Sequence, residues 1–115
     1  MLSKSVIDRY FEALSTHNGP LAASLFSEDG AIDDFRGRHH AGRDSVQAFI
    51  GQVPQLELEF LSDFISEVDR VTVYGNIRYP GKDPVLIRWI FTASGDLIGH
   101  LCNSRIEQVP LDRRR

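Results

Sequence analysis

A chain of 115 residues can build one hydrophobic core and is too short for two. Its 42% hydrophobic and 25% charged residues suit a globular domain, and a net charge of -3 offers a nucleic-acid backbone nothing to hold. One cysteine, Cys102, excludes an internal disulfide and a cysteine-based zinc site, and fits a reducing compartment.

Val6, Ile7, Tyr10, Phe11 and Leu14 recur at helical spacing, with Asp8, Arg9 and Glu12 opposite, which predicts a helix over 5–16. Acids inside this apolar pattern argue against a signal peptide, and no apolar run approaches membrane-spanning length, so a cytoplasmic domain is expected. Asn18-Gly19 ends the helix, and Pro20 opens a short second one burying Leu21, Leu25 and Phe26. Residues 27–30, "SEDG", read as a turn and 31–36, "AIDDFR", as a short strand. Gly42-Arg43-Asp44-Ser45 opens a third helix with Val46, Phe49 and Ile50 apolar and Gly51 closing it.

Beyond Pro54 the chain turns to β-branched and aromatic residues in runs separated by "VDR", "PGKD" and "SGD". Leu56, Leu58 and Phe60 alternate with Glu57 and Glu59, then Leu61 breaks the phase and predicts a β-bulge. The basic tail, 111–115, ends in three arginines and reads as solvated. One α+β domain over 1–115 follows: a cone-like curved antiparallel sheet wrapped around three N-terminal helices. Its strands are apolar on both faces, Ile87, Trp89 and Phe91 on one, Leu86 and Ile90 with Arg88 on the other. The helices cover one face, and a homodimer through the outer sheet face is the simplest cover for the second.

Most of the chemistry-bearing side chains lie in 31–40, "AIDDFRGRHH". In a strand, Ile32 and Asp34 share one face while Ala31, Asp33 and Phe35 share the other. Ile32 argues for Asp34 inward and Phe35 against it, so the pattern leaves both orientations open. His39 and His40 with the two acids offer four metal ligands on paper, but adjacent histidines point apart and no helical pair is present, so no metal is expected. No Gly-rich phosphate loop occurs, and Cys102 has no basic neighbour to activate it. Tyr10 lies between Val6 and Leu14 and is buried in either case; in the last strand His100, Cys102 and Ser104 share one face, Leu101 and Asn103 the other.

The segments "VIDRYFEAL", "LFSEDGAIDDFRG" and "AGRDSVQAFI", followed by a strand meander, resemble the nuclear transport factor 2-like (NTF2-like) superfamily, in its ketosteroid-isomerase and SnoaL-like branches. The resemblance covers nearly the whole chain and implies a cystatin-like α+β cone with an apolar cavity for a small hydrophobic molecule. It places the general base on Asp34 and the hydrogen-bond donor on Tyr10. The family's second donating acid falls on Ile87, so half of that donor pair is absent. By the same resemblance His100 and Ser104 line the cavity, His100 as a second acid–base group or a partner of Asp34. Trp89, Phe91, Phe60 and Ile87 are the expected substrate walls. The implied activity is proton transfer beside a carbonyl, of the isomerase, cyclase or dehydratase kind, without a cofactor. Epoxide hydrolysis would need Arg88 in the cavity, and strand parity sets it opposite Trp89. The alternative is a ligand-binding or dimerisation module without chemistry, since one fold serves many functions.

Overall fold

The first two helices begin where a capping side chain satisfies a free backbone N–H. In the computed structural model, which describes residues 1–114, α1 spans Lys4–Thr16 and its first turn is closed by Ser3 Oγ, which accepts from Val6 N–H at 3.2 Å. It ends at His17 in the left-handed region, φ 55°, after which Asn18 N–H donates to the Ala13 carbonyl at 2.9 Å. Asn18 then starts α2 (Gly19–Ser24), its Oδ1 accepting from Leu21 N–H at 3.1 Å. α3 (Arg43–Gln52) follows Gly42, whose φ of 86° suits glycine.

Seven strands follow: β1 (Phe26–Asp33), β2 (His39–Ala41), β3 (Glu57–Phe60), β4 (Ile65–Ser66), β5 (Arg70–Arg78), β6 (Val85–Ser94) and β7 (Leu97–Arg105). They form one curved sheet in the order β2-β1-β7-β6-β5-β3, with β4 beside β5. The α+β cone is as expected, with one difference: β1 runs parallel to β7 while the other pairs are antiparallel. β1 reaches the sheet from α2 and not through a hairpin, so its direction is free of the meander's alternation.

Residues 27–30, expected as a turn, belong to β1, and the ladder absorbs them by a register shift between Phe26↔Ile98 and Ala31↔His100. Where a bulge in one long strand was expected at Leu61, β3 ends at Phe60 and β4 begins at Ile65; Leu61 N–H donates to the Tyr74 carbonyl and Ser62 Oγ accepts from Tyr74 N–H, both at 2.9 Å. A single 3-10 turn, Leu111–Arg113, lies in the basic tail; Arg113 and Arg114 are exposed, and Arg115 lies outside the described residues.

The concave face carries Val71, Val73, Ile77, Ile87, Trp89, Phe91, Ile98 and Leu101, all buried against Tyr10, Phe11, Leu14, Val46 and Ile50 of the helices. Phe11 anchors this layer: its ring lies 4.8 Å from Phe60, 5.1 Å from Trp89 and 5.7 Å from Phe91, all edge-on. Trp89 fits because β5 carries Gly75 beside it. A Cβ on Gly75 would sit 2.5 Å from the Glu59 carbonyl oxygen and 3.1 Å from Trp89 Cζ3. Gly75→Ala is therefore expected to cost about 1–3 kcal/mol, read as a lower urea midpoint with an unchanged slope.

Candidate functional site

The stretch 34–40 is built around one carboxylate. Asp34 N–H donates to the Arg38 carbonyl at 2.9 Å, and Gly37, φ 84°, donates its N–H to the Asp34 carbonyl at 3.0 Å. Asp34 Oδ1 accepts from Arg36 N–H at 2.9 Å and Arg38 N–H at 3.0 Å. Aspartate suits this position because its short side chain reaches its own backbone a few residues on. The turn brings β2 back with Ile32 opposite His40 and Asp33 opposite His39. Residues opposite one another share a face, so His40 joins Ile32 and Asp34 on the concave side while His39 joins Asp33 outside. Asp34 Oδ2 pairs with His40 Nε2 at 2.9 Å, and the imidazole stacks on Phe49 of α3 at 4.2 Å.

This pair borders a cavity of about 180 Å³. Its polar walls are Asp34, Arg36, Arg38, His40, Gln52, Tyr79, Trp89 and Asn103, and its apolar walls include Leu14, Phe49, Val53, Leu56 and Ile77. Burial is the largest single effect on Asp34 and raises its pKa, but the hydrogen bonds from His40, Arg38 and Arg36 together outweigh it and hold the carboxyl below its ordinary value. Burial raises the pKa of Tyr79, against the opposing charge of Arg36 and with that of Asp34, so its hydroxyl keeps its proton.

Of the residues expected to act as catalysts or substrate walls, Asp34 and Trp89 reach this cavity. Tyr10 does not line it: it is fully buried among Phe11, Phe26 and Phe91, its hydroxyl has no partner among the described residues, and burial pushes its pKa up. Phe91 and Ile87 are wholly buried in the same core and form no part of the cavity wall. Phe60 borders a different, more open depression of about 440 Å³ with Leu86, Val109 and Arg114.

His100 and Ser104 correct the expected arrangement. β7 registers in parallel with β1 as Asp33↔Cys102, so His100, Cys102 and Ser104 share the outer face with Asp33, and Leu101 and Asn103 point inward. His100 Nε2 bonds Asp33 Oδ2 at 2.7 Å and His39 Nδ1 bonds Asp33 Oδ1. Hydrogen bonds from His39 and then His100 hold the Asp33 carboxyl below its ordinary value, against the opposing effect of burial. The sequence pattern gave no cavity role to His40, Asn103 or Tyr79. A tight 34–38 turn would have set His40 opposite Ile32, and Leu101 would have marked the inner face for Asn103. Tyr79, one residue past β5, carries no comparable signal.

Residues 7–98 match the SnoaL-like domain family, and the chain belongs to it. Solved structures agree in fold. A protein from Sphaerobacter thermophilus is similar at 29% identity and TM-score 0.81, over 90% of this chain and 94% of its own. A candidate ketosteroid isomerase from Kribbella flavida is similar at 16% identity and TM-score 0.76, over 97% of this chain and 93% of its own. The canthaxanthin-binding orange carotenoid protein of Anabaena sp. PCC 7120 is similar at 18% identity and TM-score 0.77, over 92% of this chain and 37% of its own. No curated protein matches the chain.

A carboxyl held low in the fold contributes stability above its unfolded value, near ~3.9, and loses it as pH falls through the folded value. Wild type is expected to exceed Asp34→Asn by about 1–3 kcal/mol at neutral pH. In urea melts the difference should close as pH drops below about 4.

Proposed function

We propose that the chain is a small-molecule enzyme that moves a proton beside the carbonyl of a compact apolar substrate. The observation that supports this most is the Asp34–His40 pair at the edge of a largely apolar cavity. Asp34 Oδ2 accepts His40 Nε2–H, which leaves the Nδ1 lone pair for the substrate. The C–H bond next to the carbonyl breaks, its proton joins Nδ1, and its electron pair forms the enolate. Asp34 stabilises the imidazolium; return of the proton to the same carbon completes exchange, and in a β,γ-unsaturated substrate its return to the γ-carbon gives the conjugated isomer. Asp34 thus serves as the base through His40, because its own carboxyl is held low by three hydrogen bonds. Tyr79, protonated and on the same wall, takes the donor place that the family resemblance gives to Tyr10. Engineered cavities of ~150 Å³ bind benzene, so a space of about 180 Å³ favours a single ring over a steroid.

The outer sheet face, with half-buried Leu86, Ile90 and Cys102 and all three helices on the opposite side, is the proposed homodimer surface, and the cytoplasm the proposed site of action. A second reading, a binding module without turnover, has its own support in the use of Asp34 to close its loop.

Cyclohexanone in deuterated water separates the two readings. Wild type is expected to speed loss of its α-proton NMR signal, and Asp34→Asn and His40→Ala to slow it about 100-fold or more. Saturable binding with no exchange would select the module. Ile90→Glu should leave the fold intact and shift light-scattering mass from dimer to monomer.

A further inference from the structure

Two buried polar groups on the cavity wall have no hydrogen-bond partner among the described residues. Trp89 is fully buried, and its Nε1–H finds no acceptor among the described residues. Asn103 Oδ1 is buried and equally without a donor. Both residues line the cavity, and they lie opposite one another across β6 and β7. Their side chains therefore stand on one face as close neighbours. The benzo edge of Trp89 lies toward Gly75 of β5, where an added Cβ would meet Cζ3 at 3.1 Å, so the Nε1 edge is turned away from β5. Asn103 also falls one residue beyond the Asp33↔Cys102 pair of β1 and β7, in line with Asp34. Asp34, Asn103 and Trp89 thus form a polar row across three adjacent strands on an otherwise apolar face.

Leaving such groups unpaired in a protein interior is costly, and the cost is recovered when a ligand pairs with them. The geometry points to an oxygen subsite: Trp89 Nε1–H and the Asn103 carboxamide together hold one hydroxyl or carbonyl oxygen of a monocyclic ligand, next to the Asp34–His40 pair. A hydroxyl meets both demands at once, accepting from Trp89 and donating to Asn103 Oδ1, and it serves either orientation of the carboxamide. A ketone oxygen accepts from Trp89 Nε1–H, and that bond strengthens as the neighbouring carbon loses its proton and the enolate charge gathers on the oxygen. This rests on the cavity being the ligand site, and deepens the proposed function by naming the substrate class as a one-ring oxygenated compound. It also sets Trp89 and Asn103, beside Tyr79, in the place of the second donor that is absent at Ile87.

Phenol is the planar enol-like probe, and toluene has the same ring with a methyl in place of the hydroxyl. Calorimetric titration of wild type is expected to show phenol binding about tenfold more tightly than toluene, although phenol is the better hydrated of the two. Asn103→Leu and Trp89→Phe should each remove that preference, so that toluene binds as tightly or more tightly, while melting curves confirm the fold. Wild type that favours toluene, or binds neither, overturns the subsite, as does a preference unchanged in both variants. The ratio is read without turnover, so it stands or falls separately from the cyclohexanone exchange.

Discussion

One carboxylate, Asp34, organises the candidate site. Its hydrogen bonds to Arg36 N–H, Arg38 N–H and His40 Nε2 close the turn, set the β1–β2 register and decide which histidine faces the cavity. Those interactions also set its chemistry. A carboxylate that receives hydrogen bonds is a weaker base than one that is merely buried, and here the hydrogen bonds win. In the proposed reaction the proton-accepting duty passes to the imidazole it orients, and the bonds that hold its carboxyl low also fix that ring.

The rest of the cavity follows from how the aromatic residues are spent. Phe11, Phe60, Phe91 and Trp89 pack edge-on, and Tyr10 joins them through Phe11, Phe26 and Phe91. This cluster fills the part of the cone nearest α1 and leaves the remaining space between the 34–40 turn, α3 and the inner faces of β5–β7. A tyrosine on α1 is therefore structural in position, while one just past β5, Tyr79, meets the cavity. Glycine at 75 leaves room for the Trp89 ring, which a Cβ there would crowd at Cζ3.

The sheet separates two acid–histidine groups made from neighbouring residues. Asp34 and His40 lie inside, sheltered and stacked on Phe49; Asp33, His39 and His100 lie outside, where water screens their attraction. Alternation along two paired strands produces this division without any additional element. It also sets the adjacent histidines, His39 and His40, on opposite faces.

Local pattern was enough for much of this protein. The spacing of Ile7, Tyr10, Phe11 and Leu14, the caps at Asn18 and Gly42, and the β-rich second half determined three helices, a curved sheet and the identity of its inner face at Ile87, Trp89 and Phe91. The resemblance then brought Asp34 forward, although its own neighbours Ile32 and Phe35 argued opposite ways. Tertiary structure decided what periodicity cannot express. The parallel pairing of β1 with β7 sent His100 and Ser104 outward and Asn103 inward, and it joins residues far apart in the chain. The turn at 34–38 set His40 beside Asp34, and the packing of Phe11 took Tyr10 into the core. Alternation says which residues share a face; only the register between distant strands, and the direction in which the sheet curves, says which face encloses the cavity.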